Sequence, residues 1–522
     1  GRPPHAWHPR PVHGRLSVPM TYPVPPARRG PWILAVDVGS SSARAQWVDG
    51  AGAPLAPGAA ARAEHRWRAT PDGGMEADAD ALADLCLEVI DGAVQAGRAA
   101  GVEPAAVALA AFWHGLVGIA ADGRAATPLY GWGDGRARGA GEGMRARVDE
   151  ARMHRRTGCF LHELYPAAKL VWLRGARDDT FPRAHAWGGI GELVALRLFG
   201  ELRTSVSMAS GTGLLDLRRQ AWDGEMLDAA GTSAAALPPI GDAPFRGLQA
   251  EWTARWPELA RVPWFPAVGD GACASLGTGA VGRRVGLTVG TSAAVRVLRD
   301  DAEPAVPDGL WCYRLDERRT VCGRATSNGG NGYAWLRRTL RLPGPAGLEA
   351  QLAAMRPGAH GLAAVPRLVP ERPPRPQGSE TAVIAGLTAA TGPVEIARAW
   401  LEAAAVGMAE ALDAVEASFG RAEEVVAGGG ALHASPAWTR IVADALGRPF
   451  RLSPHPEATL RGAALLALER IGAIGDAAAH AAADEAGERI DPDPAAHAVY
   501  RGPPPASPRL VHPLPQTARE GE

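Results

Sequence analysis

The sequence predicts two α/β domains of related design, joined near residues 260–270. Strand and helix signals alternate along the chain, the pattern of α/β folds. An apolar strand, a glycine-hydroxyl turn and a second strand occur twice, about 250 residues apart. The 522 residues are 46% apolar, enough to build more than one sizeable core.

Residues 1–30 hold eight prolines, five arginines, three histidines and no acid. Such a segment cannot bury enough surface to fold alone, and it reads as a disordered extension. Its basic character suits a transit peptide, but the prolines spoil an amphipathic helix. Trp32 to Val36 is a short apolar run, followed by the turn Asp37-Val38-Gly39-Ser40-Ser41-Ser42 and a second strand, Ala43 to Val48. A hairpin at this point is not how a Rossmann unit begins, since that unit passes from strand into helix. Val107 to Phe112 reads as a further strand ending at Trp113-His114-Gly115. In the second half Val285 to Val289, Gly290-Thr291-Ser292 and Ala293 to Leu298 repeat the opening pattern. Glu395 to Phe419 reads as a long helix stopped by Gly420. Val425 to Ala427 is a strand entering Gly428-Gly429-Gly430, and Ser435-Pro436 supplies an N-cap and first-turn proline for a helix that Gly447 ends. The last stretch, 476–522, reads as a loosely attached tail. The expected organisation is thus an extension over 1–30, domains over 31–265 and 266–475, and the tail.

Composition excludes several classes. With 55 basic and 56 acidic side chains the net charge is -1, without the basic surplus that a nucleic-acid partner demands. No uninterrupted apolar run approaches 18 residues, so no membrane span is expected. Cys86, Cys159, Cys273, Cys312 and Cys322 are too scattered for a disulfide framework or a zinc site, which fits a reducing, cytosolic setting. Of the 55 basic residues only Lys169 is lysine, and its neighbours Ala168 and Leu170 rule out a P-loop. The His-Arg-Asp and Asp-Phe-Gly elements of protein kinases and the Ser-x-x-Lys motif are absent too.

Several short motifs can carry chemistry. The Asp37 turn sets a carboxylate at a strand end beside a loop whose backbone N–H groups and hydroxyls suit an anion. The carboxylate would serve magnesium through water, since that ion keeps much of its hydration shell; the bland alternative is an ordinary hairpin turn. Gly290-Thr291-Ser292 is a second such loop. Two of them suit a nucleotide held from both sides. Asp270, flanked by Gly269 and Gly271, stands at the expected domain junction, where a base could take a hydroxyl proton during phosphoryl transfer. A turn aspartate is its alternative reading. Gly277 to Gly282 matches the dinucleotide fingerprint, but it follows no strand and precedes one, so helix-end packing is preferred. Trp113 offers a face to a sugar and His114 a hydrogen-bonding ring. Asp134 and Arg136, in Trp132-Gly133-Asp134-Gly135-Arg136, suit polyol recognition, against the alternative of a solvated turn with an ion pair.

As an ordered set these motifs resemble the FGGY family of carbohydrate kinases, over about residues 31–475, and within it most the gluconate kinases. To those above the resemblance adds Arg156-Thr157-Gly158-Cys159, Pro166-x-x-Lys169-Leu170-x-Trp172-Leu173, Ser327-Asn328-Gly329-Gly330-Asn331, Gly428-Gly429-Gly430-Ala431 and Pro456-Glu457-Ala458. It implies two actin-like, ribonuclease H-like ATPase domains flanking a cleft, using ATP and Mg2+. By position it implies Asp270 as the catalytic base and Asp37 as the magnesium-associated acid. Gly39, Ser40, Ser41 and Ser42 match the first phosphate loop, Gly290, Thr291 and Ser292 the second, and Gly329, Gly330 and Gly430 further nucleotide contacts. Trp113 and His114 fall where the family touches its sugar. A carboxylate substrate calls for cations or N–H groups, for which Lys169, His114 and Arg136 are the candidates. Pro370-Glu371-Arg372-Pro373-Pro374 departs from the family's usual Gly-Glu-Arg-Ser/Thr-Pro. The expected activity is ATP-dependent phosphorylation of a sugar acid, gluconate first, in a cytoplasmic enzyme with neither nucleic acid nor membrane as partner and a homodimer among its allowed assemblies. The alternatives are a kinase of another sugar or polyol such as xylulose, a nucleotide-gated regulator on the same fold, and a dehydrogenase using Gly277 to Gly282.

Overall fold

The computed structural model describes residues 30–56, 60–176, 181–369, 371–374, 382–484 and 487–502. The extension expected over 1–30 lies, Gly30 apart, outside the described residues. So does the tail beyond Gly502.

The first sheet is built on β1 (Trp32–Val38) and β2 (Ser42–Val48), which form the expected antiparallel hairpin. β3 (Ala61–Glu64) extends the β2 edge, while β4 (Pro104–Ala111) and β5 (Trp264–Gly269) add parallel strands on the other side, giving the order β5-β4-β1-β2-β3. Every residue of β1 is buried, which explains its unbroken apolar run: a strand covered on both faces has no solvent side to mark by alternation. Helix α1 (Ala79–Ala99), capped by the Asp78 side chain, packs on β2 and β3. α2 (Pro166–Ala176) carries the lysine-tryptophan signature, and α3 (Asp270–Gly277) starts directly from the end of β5.

The second sheet has seven strands: β6 (Arg284–Val289), β7 (Ala293–Asp300), β8 (Trp311–Arg314), β9 (Arg319–Thr326), β10 (Glu424–Gly428), β11 (Phe450–Leu452) and β12 (Glu488–Ile490), in the order β8-β9-β7-β6-β10-β11-β12. Its helices include α4 (Gly330–Thr339), α5 (Pro393–Phe419), α6 (Pro436–Leu446) and α7 (Ala458–Arg470). The α5 helix ends at Gly420, whose φ is 84°, and α6 starts with the Ser435 hydroxyl accepting from Trp438 N at 3.2 Å and ends at left-handed Gly447. These are the stops and caps the sequence announced.

Two features differ from expectation. The compact units do not divide at a single point near 265. One comprises the described residues through Gly286 with Arg296–Gly323 and the described part of 453–486; the other comprises Leu287–Val295 and the described parts of 324–452 and 487–502. The reason is α7, which packs on α3, β1 and β4 although it comes about 180 residues after the first of these and more than 400 after β1. Glycines permit the approach: a Cβ on Gly462 would lie 1.9 Å from the Cys273 carbonyl oxygen, and one on Gly277 1.8 Å from that of Ala458. The stretch after 476 is also no loose tail as far as Gly502. Helices α8 (Ala477–Ala482) and α9 (Pro494–Arg501) are capped by Asp476 and Asp493, and β12 closes the sheet edge. Tyr500 is buried, its hydroxyl accepting from Arg398 at 3.1 Å. Alanine-rich composition hid these elements because alanine gives little amphipathic contrast.

Candidate active site

In the first unit, chain geometry makes Asp37 and Arg44 a pair. The antiparallel register sets them directly opposite, one pair in from the turn of the β1–β2 hairpin. Asp37 is fully buried and one of its oxygens accepts from the Arg44 guanidinium, whose other end donates to Glu457 at 2.6 Å. The second Asp37 oxygen, Oδ1, is buried with no hydrogen-bond partner in the protein. Burial pushes this carboxyl up to about 6 against the pull of Arg44, with the Asp270 and Glu457 charges adding to the rise. A buried carboxylate oxygen lacking a partner is what a hydrated cation would satisfy. Among the described residues no group of three or more His, Cys, Asp or Glu side chains could hold a metal by protein ligands alone.

The adjoining loop is a tight turn, Gly39 N donating to Ser42 O at 3.0 Å. Trp67 Nε1 donates to the Ser40 carbonyl at 2.6 Å, and a His65 ring nitrogen contacts that of Gly39 at 2.9 Å. Ser42 is buried as the first residue of β2, so the accessible hydroxyls are those of Ser40 and Ser41.

Asp270 is the first residue of α3, with Gly269 as N-cap, and its Oδ1 accepts from Gly271 N at 2.7 Å. The Trp113 indole fixes this corner. A Cβ on Gly269 would stand 1.9 Å from the ring, one on Gly211 2.5 Å and one on Gly271 3.0 Å, while the indole N–H donates to Ser207 O at 3.0 Å. Trp113 is therefore a buried wall behind Asp270 and has no open face for a sugar, contrary to the sequence expectation. Arg296 also lies against Gly271, its Nη2 3.2 Å from the same hypothetical Cβ.

His114 has the left-handed φ of 69°, uncommon for a residue with a side chain and costing about 1 kcal/mol. Its Nδ1 lies 2.7 Å from the Gly211 carbonyl and so carries the proton in the neutral ring; edge-on contacts at 5.1 and 5.5 Å come from Tyr165 and Tyr313. Those tyrosines share a hydroxyl–hydroxyl bond of 2.8 Å. Lys169 is wholly buried, donating to the carbonyls of His114 at 2.9 Å and Leu164 at 2.6 Å. Asp134 and Arg136 are 1% and 4% exposed at the side chain and bound to each other, Arg136 also reaching Glu76 at 2.7 Å and covering the Trp172 ring. They are a buried ion cluster, bound to each other where the sequence expects polyol recognition, and equally unlike the solvated ion-paired turn that is its alternative. Neither they nor Lys169 present a charge to solvent.

The second unit gathers the remaining glycines. The Gly290–Ser292 turn is stitched to the start of α4: Gly330 N donates to Gly290 O at 2.8 Å and Asn331 N to Thr291 O at 3.1 Å. A Cβ on Gly330 would meet Gly290 O at 2.5 Å, and one on Gly429, whose φ is 107°, would meet Val289 O at 2.3 Å. Three turns, at 290–292, 329–330 and 429–430, therefore share one corner at which Thr291 and Gly430 are exposed. Such a cradle of backbone fits nucleotide phosphates. Glu371, from the proline-rich departure, accepts from Thr326 at 2.9 Å and Asn328 at 2.6 Å and so anchors the segment entering Gly329. A cavity of about 770 Å3 in the same unit, lined by His360, Glu371, Glu402 and Tyr500, involves none of the expected site residues.

The fingerprint at Gly277 to Gly282 is the C-terminal end of α3 and its exit turn into β6, with Gly279 and Gly282 left-handed. A dehydrogenase reading has no site there. Sequence reasoning missed Arg44, recoverable by counting the hairpin register from Asp37, and gave Glu457 no role. Tyr165 and Tyr313 had no signal, being 148 residues apart.

Comparison with known proteins agrees with this geometry. Residues 32–277 match the N-terminal domain of the FGGY family of carbohydrate kinases and residues 285–469 its C-terminal domain. A gluconokinase of Bacillus licheniformis is 26% identical over 387 residues, covering 71% of this chain and 75% of that protein. A glycerol kinase of Gloeobacter violaceus is 31% identical over 479 residues, covering 88% and 93%. Among solved structures, the xylulose kinase and the gluconate kinase of Lactobacillus acidophilus each superpose with a TM-score of 0.81 at 25% identity, covering 90% of this chain and 95% of theirs. The actin-like, ribonuclease H-like fold and the phosphotransferase class follow. Sugar kinases of this family use ATP, usually with Mg2+. Both halves of the chain are thereby accounted for: it belongs to the FGGY family of carbohydrate kinases.

Proposed function

We propose that this kinase phosphorylates a sugar acid, gluconate before neutral ketoses and polyols, with Asp270 as general base. The observation that carries the base is its setting: a carboxylate at the start of α3, held by a glycine N-cap against the Trp113 wall and close enough to raise the pKa of Asp37. Asp270 takes the proton of the accepting hydroxyl as that oxygen bonds to the γ-phosphorus and the bond to the β-phosphate oxygen breaks, releasing ADP. Asp37, through its unpartnered oxygen, would hold a hydrated Mg2+, which neutralises phosphate charge. Arg44 orients Asp37. In the first unit the backbone of 39–41 is assigned to phosphate, and in the second that of 290–292, 329–330 and 430 to phosphate and nucleotide.

Support for a sugar acid is the similarity to gluconokinases, set beside that to xylulose and glycerol kinases, together with Arg296. Arg296 is the guanidinium we assign to a substrate carboxylate, since it lies against the base's own segment. The test is kcat/KM for ADP release with gluconate, xylulose, ribulose and glycerol. Gluconate is expected to exceed the neutral compounds by about tenfold or more, the worth of one charge-assisted hydrogen bond. Equal or better turnover of xylulose would refute the sugar acid and leave the kinase standing.

A further inference from the structure

The single lysine in a chain of 54 arginines lies buried behind the sugar side of the first unit. A composition so committed to arginine keeps an ammonium where a guanidinium does not fit. The group is fully enclosed, between two carbonyls at 2.9 and 2.6 Å, and a planar five-donor fork would leave donors unsatisfied there. The two carbonyls are those of His114 and of Leu164, the residue before Tyr165. One ammonium thus ties together the segments that carry the two rings, His114 and Tyr165, packed edge to face at 5.1 Å.

We propose that Lys169 is a positioning residue for the sugar: it holds His114 in its left-handed conformation, ring presented to substrate, without touching substrate itself. The inference rests on the reading of His114 as a sugar contact. With its carbonyl pinned by Lys169 and its ring by Gly211, His114 has little freedom to relax to an ordinary φ. The Asp134 and Glu163 carboxylates favour the charged form of the ammonium against the burial that pulls it down to about 7.

Two measurements test this, each using the sugar that the wild-type enzyme phosphorylates best. In the first, K169M, H114A and the double variant are assayed with sugar and with ATP. K169M should raise the sugar KM about tenfold with the ATP KM unchanged, and the double variant should be no worse than H114A alone, because Lys169 acts through His114. K169R should not restore the KM. Additive losses, or a lowered melting temperature with KM values intact, would make Lys169 merely structural and overturn the proposal. If H114A leaves the sugar KM unchanged, the sugar-contact reading fails instead. The second needs no variant. With 15N-lysine labelling the full chain gives one Nζ resonance, which should shift on saturation with sugar and stay in place with ATP alone. No shift with sugar would overturn the proposal even if K169M does not fold.

Discussion

Replacing Arg44 by methionine removes the cation that keeps Asp37 ionised while preserving most of the side-chain stem. With Arg44 present, burial already lifts the Asp37 carboxyl to about 6. A hydrogen bond to a charged partner is worth about 1.5–3 kcal/mol, and one pKa unit about 1.4 kcal/mol, so losing Arg44 lifts the carboxyl by a further one to two units. At pH 7 the ionised fraction then falls from about nine-tenths to between about a half and a tenth, a loss of about two- to tenfold in any rate that needs the anion. The assay is ADP release across pH 5 to 9 at saturating sugar. The wild-type acid limb should lie near pH 6 and that of Arg44→Met above pH 7, with much of the deficit recovered at pH 9. Stability runs the opposite way. A carboxyl whose folded pKa is raised contributes stability that is complete below about pH 4 and lost as pH rises through about 6. An acid limb that stays near 6 in Arg44→Met would refute the coupling.

Three other substitutions probe separate parts of the account. Arg296→Met should lower kcat/KM for gluconate by about tenfold or more while sparing glycerol; an equal loss on both would remove Arg296 as the carboxylate partner. Gly429→Ala adds a Cβ 2.3 Å from Val289 O at a left-handed position, strain of about 1–3 kcal/mol, and should raise the ATP KM with the sugar KM unchanged. Gly269→Ala drives a methyl into the Trp113 ring, which has Gly211 behind it; calorimetry should show destabilisation of about 1–3 kcal/mol, accompanied by reduced kcat as Asp270 shifts. Normal melting and turnover would show that the indole has room to move.

Much of the fold was legible because its signals are local. The β1–β2 hairpin, α5 with its glycine stop and the Ser435 cap each depend on a few neighbouring residues, and the structure has them where the sequence marks them. The alternation of strand and helix also separated this fold from a Rossmann domain, because the first turn leads into a strand. What stayed hidden depends on distant partners. Nothing near Trp113 says that three glycines from 211 to 271 enclose it, so its aromatic face looked available. Asp134 and Arg136 read as a flexible loop because their neighbours are glycines, whereas Glu76 and Trp172 bury them. Lys169 looked like a cation for substrate because charge is legible in sequence and burial is not. The discontinuous first unit escaped for the same reason: the packing of α7 on β1 is a contact across more than 400 residues.

The central claim is that Asp270 drives phosphoryl transfer to a sugar-acid hydroxyl. Its most direct measurement follows a radiolabelled γ-phosphoryl group from ATP in the wild-type enzyme and in Asp270→Asn, which keeps the side chain's size and removes the proton acceptor. Wild-type enzyme should move label to gluconate in step with ADP release. Asp270→Asn should transfer about 10²–10⁴-fold more slowly, equivalent to about 2.7–5.5 kcal/mol of barrier, with its ATP affinity unchanged. Transfer by Asp270→Asn at more than about a tenth of the wild-type rate, well above the range for loss of a general base, would contradict the assignment.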